Sequence, residues 1–226
     1  MRFPFTLVEQ RRFDVVGFGT NAVDFLIQVP EYPGFNSKLE LNDYVQAAGG
    51  EVATTMVGLQ RLGLKTSYVG RFGKDDAGDF GIKSLVDEGI DIEFSEQITD
   101  ARTQIAFIIV DEKTGERTVI WKRDEKLHFK ESEVSEDIAA KGKVLHFTPH
   151  DTKACIKLAK KAKEIGTIVS IDIDNIFDGI EDLLPLVDIF ISSAEFAESF
   201  MGIADKRAAL DQLKYKYGCR LVGMTL

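Results

Sequence analysis

The sequence predicts an α/β fold: a doubly wound, mostly parallel sheet with helices on both faces and a small β-sheet projecting from it. Three observations carry that expectation. Apolar strand-like segments alternate with helix-periodic ones along most of the 226 residues, the pattern of a parallel sheet covered on both sides. Two stretches, near 25–44 and 103–122, break this rhythm with extended, alternating residues. Two adjacent glycines, Gly49-Gly50, open an apolar helix, and a glycine-studded strand and a second helix follow at fixed spacing.

Taken in order, Phe13 to Gly17 reads as a first strand. Glu51 to Leu62 has helical spacing through Val52, Met56, Leu59 and Leu62, with Gly63 as its C-terminal cap. Thr66 to Val69 is a short strand, and Asp76 to Glu88 a helix with Phe80 and Leu85 on one side, stopped by Gly89. Asp75 is suited to cap that helix. Val144 to Phe147 is apolar and buried in character. Asp151 reads as the N-cap of a helix carrying Ile156, Ala159 and Ala162, closed by Gly166. Strands at 167–173 and 187–191, helices at 194–200 and 206–217 and a last strand from Arg220 to Leu226 complete the pattern.

The two irregular stretches are read as one projecting sheet. The first has Pro30, Pro33 and an alternating Leu39, Leu41 pattern; the second is a hairpin around Glu112-Lys113-Thr114-Gly115. Its first arm, Ile105 to Val110, is apolar on both faces, and such a strand needs cover on both sides. One face is expected over a site and the other against a second subunit, making a homodimer. The division expected is a core of 12–24, 47–101 and 125–226 and a projecting sheet of 25–46 and 102–124. No internal repeat or flexible linker is seen.

Net charge is -9 and the pI is near 5.0. The basic residues are scattered, so no nucleic-acid or anionic-membrane surface is expected. The two cysteines, Cys155 and Cys219, form no CxxC or Cys/His cluster, which suits a reduced cytoplasmic setting and argues against zinc. Residues 1–12 lack the apolar run of a signal peptide, and no stretch reaches the roughly 20 apolar residues of a membrane span.

Gly17-Phe18-Gly19-Thr20-Asn21-Ala22 matches G-x-G-x-x-A after a strand. A nicotinamide or flavin site would need a helix to start at once. Instead Val23 to Pro30 is extended in character. The better reading is that Asn21 and Asp24 are polar groups at the carboxyl end of the first strand, where ligands sit in open α/β sheets.

These residues together resemble the ribokinase-like (PfkB) sugar kinase family, from about Phe13 to the end of the chain. The main element is Gly49-Gly50-Glu51-Val52-Ala53-Thr54-Thr55-Met56 with Arg61-Leu62-Gly63, Gly70, Gly73, Asp75 and Gly78. Gly19 with Asp24, Ile171-Asp172-Ile173-Asp174-Asn175 and Val187-Asp188-Ile189-Phe190-Ile191 add to it. The resemblance implies a ribokinase-like fold with a β lid. It implies transfer of the γ-phosphoryl group of ATP, with Mg²⁺, to a hydroxyl of a small sugar. Asp24, Asn21, Gly49, Gly50, Thr54 and Thr103 would form the substrate site, the carboxylate of Asp24 gripping a vicinal diol. Asn36, Lys38 and Ile105 are further candidates beside the lid. Asp172, Asp174 and Ser193 would face the nucleotide, and Glu195 would help hold the metal.

Two departures matter. Thr54 stands where the family usually has Asn, which leaves the identity of the sugar open. Ser192-Ser193-Ala194-Glu195-Phe196 stands where relatives carry Asn-Glu-x-Glu, and only a one-residue shift makes Glu195 the match. In this family the base is the Asp of a G-A-G-D motif. Neither that motif nor a P-loop occurs in these 226 residues. No catalytic base is therefore assigned, and it is expected beyond Leu226, so that the 226 residues alone would be inactive and poorly stable. A nucleoside kinase of the same family and a non-catalytic sugar- or nucleoside-binding module are the alternatives.

Overall fold

The computed structural model describes residues 5–225. Six parallel strands form the main sheet: β1 (Phe13–Phe18), β4 (Thr66–Val69), β9 (Gly142–Phe147), β10 (Ile168–Ile173), β11 (Ile189–Ser193) and β12 (Leu221–Thr225). Their order across the sheet is β12-β11-β10-β9-β1-β4. The chain therefore winds one way from β1 to β4 and the other way from β9 to β12, and the direction reverses between β1 and β9.

That reversal puts helices on both faces. Helix α1 (Glu51–Arg61), with α2 (Asp76–Asp87), covers the side toward which Val15 and Val144 point. Helices α3 (Thr152–Ile165), α4 (Ile180–Leu183), α5 (Ala194–Met201) and α6 (Lys206–Tyr217) cover the other, where Val16 and Leu145 point. Neighbours in one strand facing opposite cores explain why these strands read as continuous apolar runs. Right-handed crossovers in two opposite winding directions require this two-sided arrangement.

Four further strands build a separate sheet, ordered β3-β2-β7-β8, from β2 (Ala22–Val29), β3 (Asp43–Gly49), β7 (Ile105–Asp111) and β8 (Arg117–Lys122). The hairpin expected around 112–115 is present, with β7 and β8 antiparallel. β2 and β7 are parallel and join the two insertions. A two-stranded ribbon, β5 (Arg71–Gly73) and β6 (Glu96–Ile98), lies beside α2.

Several expectations need correcting. The small sheet takes in Ala22–Asp24 and Ala47–Gly49, which the sequence reading placed in the core, because β2 and β3 pair continuously along these residues. Leu39 and Leu41 lie in irregular chain and are exposed. Phe80 is exposed too; α2 buries Gly78, Gly81 and Leu85 instead. Asp151 precedes α3 but makes no capping bond, its carboxylate being engaged elsewhere. The apolar arm Ile105–Asp111 is only half covered, Phe107 being 40% exposed. Leu226 lies outside the described residues.

Candidate active site

The carboxyl ends of β1 and β9 meet at the point where the sheet's winding reverses, and ligands of open α/β sheets bind at that place. The structure has a cavity of about 330 Å³ there. Its floor is Thr20 beyond β1, His150 beyond β9 and Asp174 and Asn175 beyond β10. Gly50 and Glu51, where α1 begins, form one side. The small sheet forms the roof, with Asp24, Ile108 and Trp121 facing in.

Gly50 has to be glycine. Its φ is 96°, and a Cβ there would lie 2.4 Å from the Cα of Asn21. Gly49 is needed for a different reason: a Cβ there would lie 2.0 Å from the Asp24 carboxylate. The glycine pair thus lets β3 turn into α1 while the Asp24 side chain lies against Gly49. Partial burial raises the Asp24 carboxyl above its usual pKa. Among the described residues no cation pairs with it, which leaves its oxygens open to hydroxyl donors.

Glu51 is held differently. Its Oε2 lies 3.1 Å from His150 Nε2, and the His150 ring packs edge-on against Phe177 at 4.8 Å. Burial opposes ionisation of Glu51, but His150, with help from the Thr148 and Thr20 hydroxyls, outweighs it and holds the carboxyl below its ordinary pKa. Asp172 is shifted the other way, by partial burial first and by the nearby charge of Glu51 second.

The sequence-predicted residues do not all share this cavity. Asp24, Gly50 and Asp174 line it, so Asp174 stands across the cavity from Asp24. Asn21, Gly49 and Thr54 line a smaller hollow of about 230 Å³ between the start of α1 and α2. Asn21 is buried and spends its amide on the Tyr68 hydroxyl and the Arg71 carbonyl, both at 2.9 Å. Thr103 is buried under the ribbon, bonded to Asp75 and to the Gly73 amide. Asp75 caps α2 through the Gly78 amide, as its position suggested. Gly70, Gly73 and Gly78 serve the same packing, since a Cβ would meet the Tyr68 hydroxyl, the Thr103 amide and the Gly73 carbonyl respectively at 2.0, 2.5 and 2.1 Å. Much of the long glycine motif therefore builds the scaffold.

Ser193 caps α5 through the Phe196 amide, and Glu195 is exposed on that helix. Asn36 and Lys38 are exposed in the connection before β3. Among the described residues no three His, Cys, Asp or Glu side chains form a ready metal cage. Asp172 and Asp174 supply hard oxygen donors of the kind Mg²⁺ uses beside phosphate and water. They suit an ion delivered with a nucleotide, rather than one held by protein alone.

Among the cavity residues not singled out from the sequence are Glu51, Gln104, Trp121 and His150. Glu51 and His150 carried a usable signal. One follows the glycine pair and the other follows an apolar strand, so both fall at carboxyl-end loops of the sheet. Trp121 faces inward only through the register of β8 with β7, which alternation alone does not fix, and Gln104, just before β7, is placed by the Val23 amide donating to its carbonyl at 2.9 Å.

Behind the cavity lies a buried ion pair. Asp151 accepts from Arg123 Nη2 at 3.2 Å and from the Phe129 amide at 3.2 Å, and its Oδ1 is 2.6 Å from His128 Nδ1. Arg123 follows β8, two residues after Trp121, and Asp151 adjoins His150. The pair ties the root of the small sheet to the cavity floor.

An open parallel sheet with a carboxylate-lined cavity at its reversal point, roofed by a small antiparallel-edged sheet, defines a ribokinase-like fold. The description "pfkB family carbohydrate kinase" matches residues 13–226, and the chain belongs to that family. It is 32% identical over 167 residues to "Probable fructokinase-5" of Arabidopsis thaliana, covering 70% of this chain and 50% of that protein. A nucleoside kinase of Methanothermobacter thermautotrophicus is 26% identical over 192 residues, covering 85% of this chain and 58% of that one. The chain thus spans about half the length of the curated relatives it matches. The solved structure of Arabidopsis thaliana ribokinase complexed with ribose and ATP superposes with a TM-score of 0.73 at 18% identity, over 93% of this chain and 70% of that one. No helix among the described residues is long and apolar enough to cross a membrane.

Proposed function

We propose that this chain holds the acceptor-binding portion and lid of an ATP-dependent sugar kinase. One observation carries the reading: Asp24 on the small sheet and the glycine-led start of α1 face a single cavity at the sheet's reversal point. There Asp24 accepts hydrogen bonds from two acceptor hydroxyls. Gly50 lets the sugar approach the backbone, and Gly49 leaves room for the Asp24 carboxylate. The small sheet excludes water, which protects the phosphoryl group from hydrolysis. Mg²⁺ bound with ATP neutralises phosphate charge, with Asp172, Asp174, Ser193 and Glu195 on the nucleotide side as candidate holders.

The similarity to a nucleoside kinase supports a second acceptor class, and the apolar wall of Ile108, Val119 and Trp121 offers a surface for a base. The exposed cross-strand pair Phe107 and Ile120 on the outer face of the small sheet suits a homodimer. The free cysteines Cys155 and Cys219, both buried, fit a cytoplasmic setting.

The test is titration calorimetry with ribose, fructose and adenosine against the chain and its Asp24→Asn variant. Loss of one charged hydrogen-bond pair weakens binding by roughly tenfold or more. Equal affinity of both proteins for every acceptor refutes the assignment of Asp24.

A further inference from the structure

We infer that Glu51 sets the charge class of the acceptor, so that the cavity takes uncharged polyols and rejects sugar acids and sugar phosphates. This rests on the reading of the cavity as the acceptor site. A helix start facing a cavity ordinarily attracts anions, through its amides and its positive dipole end. Here α1 starts at Gly50-Glu51 with no side-chain cap, and His150 stands opposite, so the local geometry without Glu51 is one that welcomes a carboxylate or phosphate. Glu51 occupies that position with its own carboxylate, 3.1 Å from His150 Nε2. The helix end and the imidazole are thereby already matched by an internal anion.

The rest of the wall adds to the effect. Asp24 and Asp174 face the same space, and neither Lys nor Arg is among the described residues lining it. An anionic acceptor would enter against three carboxylates in a partly desolvated site, where like charges are weakly screened. A neutral polyol meets the same oxygens as hydrogen-bond acceptors. Glu51 is the member of the set whose removal changes the local charge most effectively, because it alone stands in the first turn of α1 and pairs with His150. Asp24 grips hydroxyls from the opposite wall.

Trp121 is the single tryptophan of the chain and lines the cavity, so its fluorescence reports occupancy without any need for turnover. Matched pairs are titrated: ribose with ribonate, glucose with gluconate, fructose with fructose 6-phosphate, with calorimetry in parallel. The wild type should favour the neutral member by about tenfold or more. Glu51→Gln should narrow that gap and Glu51→Lys should reverse it, and added salt should shrink the wild-type gap as screening requires. Should Glu51→Lys fail to fold, the isosteric Gln variant and the salt series carry the same decision. Equal binding of both members by the wild type, or an unchanged ratio in the Glu51 variants, overturns the charge filter alone. Failure of every compound to bind removes the acceptor-site reading and this inference with it.

Discussion

Removing the Asp151 carboxylate is the sharpest test of how the cavity is held in shape. The Asp151 side chain is 3% exposed and that of Arg123 7%. Asp151→Ala strands a buried guanidinium and leaves the buried Phe129 amide without its acceptor. Breaking a buried pair by deleting one partner costs about 3–5 kcal/mol. The lower end applies, because Arg123 keeps its bond to the Leu127 carbonyl at 3.1 Å and His128, 45% exposed, can turn to water. At roughly 2–4 °C per kcal/mol for a chain of this size, a loss of about 3 kcal/mol lowers Tm by about 6–12 °C. Urea unfolding followed by Trp121 emission measures it. The double variant Arg123→Met with Asp151→Leu removes both charges and should be markedly more stable than the two single costs added together. A single-variant cost below about 1 kcal/mol, or strict additivity in the double variant, refutes the account.

His146 should give the protein a pH-dependent stability. It is buried, its Nε2 has no partner, and burial pulls its pKa down to about 4 from 6.5. The unfolded chain therefore binds the proton more readily, and stability rises with pH across that interval. About 3 kcal/mol is fully present above pH 6.5 and lost as pH falls toward 4. Unfolding free energies for wild type and His146→Gln, taken between pH 4 and 7, should differ in slope, and parallel profiles would contradict this. Gly49→Ala should leave the fold standing but displace the Asp24 carboxylate, since the new methyl meets the movable end of a side chain. Its signature is weakened acceptor binding with a Tm change of only a few degrees, and binding equal to wild type would speak against the contact.

The winding of the sheet was legible because strand and helix periods alternate cleanly. Helices such as Lys206–Tyr217 even agree at both ends with their observed bounds. The role of the glycine motif was less legible. Gly70, Gly73 and Gly78 share a spacing with Gly49 and Gly50, yet the first three pack Tyr68 and Thr103 while the last two shape the cavity. Spacing records that a Cβ is forbidden and is silent on whether ligand or protein forbids it. Asn21 shows the same limit. A polar residue at a strand end suits a ligand, but the chain brings Tyr68 and Arg71 close enough to occupy its amide. Asp24 has no such competitor. Glu51 and His150 come from elements far apart in the chain, and their pairing follows only from the meeting of β1 with β9.

The parallel pairing of β2 with β7 has a kinetic meaning. Val23 lies against Ile105, and everything from β3 through the ribbon is strung between them. Neither insertion can complete the roof locally, so closing it pays the entropy of a long loop unless the intervening helices are already docked. The roof should accordingly assemble late in refolding, with protection of β7 amides from hydrogen exchange trailing that of β1 and β9.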